Sequence, residues 1–63
     1  MELYEVVELK AGLPEEGLAA GAVGSIVHVL RNPETAYEVE FTDEDGRTIC
    51  TAALTPDRIG PAP

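Results

Sequence analysis

His28 and Cys50 are the only side chains of their types in this sequence, and they are its natural candidates for general-base or nucleophilic work near neutral pH. A thiolate activated by an imidazole needs both groups within hydrogen-bond reach, and a hydrolytic or transfer site needs a further group to orient the base. His28 lies between Val27 and Val29 in a β-branched run, where strand alternation places it on one face with Ile26 and Leu30. That position predicts a partly buried packing histidine. Cys50, between Ile49 and Thr51, reads as a small apolar sheet residue. No spacing pairs the two, so no catalytic residue is assigned.

The acidic run Asp43-Glu44-Asp45-Gly46 has the composition of a calcium loop but not its spacing. An EF-hand needs glycine at the sixth position and glutamate at the twelfth. Counted from Asp43, Gly46 is fourth and the twelfth residue is Leu54. An acidic hairpin turn is the simpler reading. Gly17, Gly21 and Gly24 do not lead from a strand into a helix, so no dinucleotide fingerprint applies and they read as turn residues. With no Trp, and with Phe41 and Tyr37 needed for a core, an aromatic groove for proline-rich peptides is not expected. The sequence therefore calls for neither cofactor nor metal.

Four basic residues (Lys10, Arg31, Arg47 and Arg58) stand against twelve acids, for a formal charge of -8. They are scattered, whereas a nucleic-acid binder gathers Lys and Arg on phosphates. Nucleic acid is thus excluded as an expected partner. The acidity serves solubility or matches a basic protein. A lone cysteine fits a reducing compartment. Glu2 and Glu5 interrupt any secretory leader, and no apolar stretch approaches a membrane span. The expected location is the cytoplasm, with no membrane partner.

These residues must be positioned by short elements. Residues 3–9 predict a strand, although Leu3, Val6, Val7 and Lys10 also fit a helical stripe. Residues 12–21 form a long glycine-punctuated loop, with room for a helical turn at 15–18. Residues 22–30 predict the second strand, closed by the turn at Asn32-Pro33. In residues 36–41, Tyr37, Val39 and Phe41 alternate with Glu38 and Glu40, the period-two pattern of a sheet with one wet face. Asp45-Gly46 supplies a hairpin turn into a fourth strand over 47–53. Thr55 and Pro56 open a 3₁₀ turn, with Thr55 in the N-cap position, before a short last strand from Ile59. The expected fold is all-β, a small five-stranded SH3-like barrel in residues 1–60, with residues 61–63 as a C-terminal tail.

Leu13-Pro14-Glu15-Glu16-Gly17-Leu18, Gly21-Ala22-Val23-Gly24-Ser25-Ile26-Val27, Tyr37-Glu38-Val39-Glu40-Phe41 and Asp45-Gly46-Arg47-Thr48 together resemble the small bacterial family known as domain of unknown function 4926. The resemblance spans nearly the whole chain and implies the small barrel. Its motifs are a loop, a glycine turn and a hairpin, and they bring no catalytic or binding residue with them.

By elimination, the sequence predicts a non-enzymatic acidic interaction module. It would be an accessory subunit, or an antitoxin-like or immunity-like neutraliser of a basic protein partner. Glu38, Glu40, Asp43, Glu44 and Asp45 are the expected contact residues. Two alternatives stand beside it. One is a ligand-binding or catalytic site completed only by homo-oligomerisation, and the other is a structural domain with no dedicated ligand. Nothing in the sequence sets the oligomeric state.

Overall fold

The alternation around Tyr37 builds the centre of the molecule. In the computed structural model, which describes residues 1–63, strand β3 (Ala36–Thr42) turns Tyr37, Val39 and Phe41 into the core and leaves Glu38 and Glu40 half-exposed. β-Branched and aromatic side chains at every second position give a strand one apolar face, and burying that face is the main driving force for the sheet. Strand β4 (Thr48–Leu54) returns antiparallel to β3 through the acidic turn. Gly46 occupies that turn with φ +80°, a left-handed conformation that glycine adopts without a Cβ penalty.

On the other side of β3 runs β2 (Val23–Leu30), followed by β1 (Val6–Leu9) and β5 (Ile59–Pro61). The result is one five-stranded antiparallel sheet in the order β4-β3-β2-β1-β5. All five strands send residues into a single core of nine buried apolar side chains, which Leu13 joins from the first loop. No pairing joins β4 to β5, so the sheet is not closed on itself.

The first loop is shorter and tighter than a helix-containing one. A 3₁₀ turn covers Pro14–Glu16 rather than 15–18, and it ends where Gly17, at φ +71°, donates its N–H to the Pro14 carbonyl at 3.1 Å. Leu13 and Leu18 bridge across it, Leu13 buried and Leu18 packed against the core. The loop's apolar residues are therefore part of the fold. The second 3₁₀ turn, Pro56–Arg58, lies where expected, but Thr55 makes no side-chain capping bond to it.

Four other expectations shift. The first strand starts at Val6, because residues 2–5 form a turn in which Glu5 N–H donates to the Glu2 carbonyl and Tyr4 takes φ +67°. The fourth strand lies one residue later than predicted, running through buried Leu54. The C-terminal segment does not leave the fold at residue 60: Gly60 and Pro61 pair with Glu8 and Val7, and the Ala62 N–H donates to the Val6 carbonyl at 3.3 Å.

The fourth shift concerns His28. Ile26 opposes Val39, but the next pair is His28 with Glu38, so β2 carries one extra residue at Val27. A bulge of this kind reverses which face each later side chain takes. Val29 then packs against the core, while His28 and Leu30 lie exposed on the outside. The expectation of a packing histidine is thereby corrected.

Candidate functional site

Two residues apart on β3, Glu38 and Glu40 lie on its outer face, about 7 Å from one another along the strand. Their neighbours on that face come from both flanking strands. Glu38 stands between His28 of β2 and Ala53 of β4, and Glu40 between Ser25 and Thr51. The Glu40 carboxylate leans toward β4 and accepts a hydrogen bond from the Thr48 hydroxyl at 3.2 Å.

The acidic turn follows directly. The Asp43 carboxylate faces its own backbone, where its Oδ1 accepts from the N–H groups of Asp45 and Arg47, each at 2.9 Å. The Asp43 N–H and carbonyl bond Arg47 and Gly46 in turn, which locks the loop from both sides. Asp43 is thus first a turn-forming residue. Glu44 and Asp45 are exposed at the tip. These five acids therefore follow the hairpin from Glu38, opposite Ala53 near its base, through Glu40 to the turn at Asp43, Glu44 and Asp45. They do not converge, with each other or with His28 or Cys50, into a group of three that could hold a metal ion.

Cys50 points to the core side of β4, opposite Phe41, and is half-buried. Burial pushes its thiol above the ordinary value, and the Glu16 carboxylate adds to the shift. Both causes favour the neutral thiol over the nucleophilic thiolate. His28 is on the opposite face of the sheet, beside Glu38. A histidine–cysteine pair is therefore not assembled within one copy of the chain.

Two features escaped the sequence reading. The first is Tyr4, 73% exposed and at φ +67°, held there by its N–H to the Ile26 carbonyl at 2.6 Å. Positive φ at a bulky residue is an uncommon conformation, and no local pattern announces it. The second is the outer edge of β4, where none of the backbone bonds formed outside the regular elements involves residues 48–54. The surface carries no enclosed pocket, and no helix is long and apolar enough to cross a membrane.

Neither curated proteins nor solved structures give a match. One family model, described as domain of unknown function (DUF4926), matches residues 3–61, from the N-terminal turn to the end of β5. That match takes in every strand and both 3₁₀ turns, and the chain belongs to the DUF4926 family.

Proposed function

We propose that this protein is a small acidic interaction module without catalytic activity of its own, and that its outer β3 face binds a basic protein partner. The single observation behind this reading is the distribution of charge. Five acids and no base fall between residues 38 and 45, and the fold sets Glu38 and Glu40 two residues apart on the outer face of β3, with Glu44 and Asp45 exposed at the hairpin tip beyond them. A surface with no enclosed pocket offers faces and edges for recognition, and a single-sign patch speeds encounter with an oppositely charged protein. An accessory subunit, or an antitoxin-like or immunity-like neutraliser of a basic protein, fits this chemistry. A cytoplasmic setting suits a lone reduced cysteine.

The strand order, the bulge in β2 and the 3₁₀ turn before β5 support assigning the curled sheet to the SH3-like barrels. In this reading the five strands curl around their shared core, and the gap between β4 and β5 is bridged by packing and not by backbone bonds.

The test compares the wild-type protein with the Glu38→Lys/Glu40→Lys double variant as baits in an extract of the source cell, at low and at high salt. A basic protein held by the wild type, released by salt and lost with the variant supports the reading. Exposed charges are screened beyond about 8 Å at physiological ionic strength, so the association rate should also fall as salt rises. Binding that survives both charge reversal and high salt eliminates it. Native mass measurement addresses the oligomeric alternative, which requires more than one copy.

A further inference from the structure

The two edges of the sheet are unlike. β5 is three residues long and ends in proline, two devices that blunt an edge against pairing. β4 has neither. Its seven residues, Thr-Ile-Cys-Thr-Ala-Ala-Leu, contain no charge and no proline, and its outward backbone groups take no backbone partner from any loop or turn. Unpaired N–H and C=O groups in a row are a template for another strand.

We infer that β4 accepts an extended segment of the basic partner as a sixth strand, and that this segment alternates Lys or Arg with small apolar residues. The inference rests on the acidic-face reading and specifies how that face is engaged. On the outer side, an added strand would lie next to Thr51 and Ala53, with Glu40 and Glu38 one strand further in. Two strand spacings separate the added backbone from β3 by about 10 Å. A Lys or Arg stem lying over a residue as small as Ala53, together with the glutamate's own side chain, covers roughly that distance. The Glu40 carboxylate already extends to the β4 row, as its bond to Thr48 shows. On the inner side, the half-buried Cys50 and Ala52 offer an apolar strip to the alternate residues of the added strand. Charge selects the occupant: a second copy would bring another -8, whereas a basic segment neutralises Glu38 and Glu40 as it pairs.

The probe is a peptide of alternating Lys and Val as long as β4, tested beside the same peptide N-methylated at every residue. Methylation keeps the charge, removes the peptide's N–H donors and sets methyl groups against the β4 backbone. The unmodified peptide is expected to bind about tenfold tighter or more than the methylated one, because main-chain bonds carry much of the affinity in strand addition. Backbone amides within residues 48–54 should then exchange more slowly. Equal affinity of both peptides, weakened by Glu38→Lys/Glu40→Lys and with no protection of β4, overturns strand addition and leaves the acidic-face reading intact. Binding of neither peptide overturns both. Protection of β4 that grows with protein concentration in the absence of peptide assigns the edge to a second copy and overturns the inference.

Discussion

Gly24 sits in β2 where it pairs with Val7 on one side and Phe41 on the other, and the backbone comes so close there that a Cβ has no room. An added methyl would lie 2.7 Å from the Glu40 carbonyl oxygen, 2.7 Å from Cγ1 of Val39 and 2.9 Å from Cδ1 of Phe41. Carbon atoms in contact prefer about 3.5–4.0 Å, so all three atoms must yield. The two side chains can rotate only into a filled core, and the carbonyl belongs to the neighbouring strand. Overpacking of this kind costs about 1–3 kcal/mol, and the backbone obstacle puts Gly24→Ala near the top of that range. The stiffer unfolded chain offsets about 0.4–1 kcal/mol, since φ at Gly24 is not positive and alanine suffers no backbone strain. A net loss of about 2 kcal/mol remains, which in a domain of this size lowers Tm by about 8–16 °C. Thermal melts followed by circular dichroism at fixed protein concentration read this directly. Gly46 provides the contrast: a Cβ there meets nothing within 4 Å, and the only constraint is φ +80°. Gly46→Asn, a residue that tolerates the left-handed region, should change Tm little, whereas Gly24→Asn should be worse than Gly24→Ala. A Gly24→Ala protein melting at or above the wild type would refute the close-approach argument.

Other substitutions probe the core and the turn. Phe41 is 1% exposed at the centre of the core, so Phe41→Ala should cost about 3–5 kcal/mol and leave most of the chain unfolded at 25 °C by circular dichroism. Asp43→Ala removes the acceptor of two backbone N–H groups and should cost about 1 kcal/mol in denaturant titrations, with Asp43→Asn retaining most of the stability because its carbonyl oxygen still accepts. Cys50 should react slowly with a thiol reagent near neutral pH, and its labelling rate should rise only under alkaline conditions, because burial and then Glu16 raise its pKa. The Thr55 hydroxyl first, then the backbone N–H of Asp57 itself and the charges of Arg58 and Lys10, hold the Asp57 carboxyl below its ordinary value. Because the folded pKa is the lower one, the stability Asp57 contributes is full above the unfolded carboxyl pKa and is lost as pH falls through the folded value. Asp57→Asn should therefore flatten the acid limb of the stability curve, and an unchanged limb would contradict this assignment.

Strand alternation from Tyr37 to Phe41, the Asp45-Gly46 turn and the Pro56 3₁₀ turn are written in local residue chemistry, which acts over a few neighbours whatever the rest of the chain does. For that reason the all-β class, the β3–β4 hairpin, the outward glutamates and the burial of Phe41 were legible in the sequence. The side of the sheet that His28 takes was not. It depends on one extra residue at Val27, a bulge that shows only in how β2 pairs with β3. The space at Gly24 likewise belongs to three strands at once, and a glycine in a strand reads the same in sequence whether it faces solvent or a carbonyl. Asp43 was legible as an acid and not as the residue that holds its own loop, since charge is a property of the side chain and its hydrogen bonds are set by where the backbone turns. The free edge at β4 is the furthest from local information. Sequence order places β4 and β5 as neighbours in the chain, whereas the sheet sends them to opposite ends, because β5 pairs with β1 and leaves β4 with one partner. Sequence determined the residues that each strand presents; tertiary pairing decided which of those rows would remain open to another molecule.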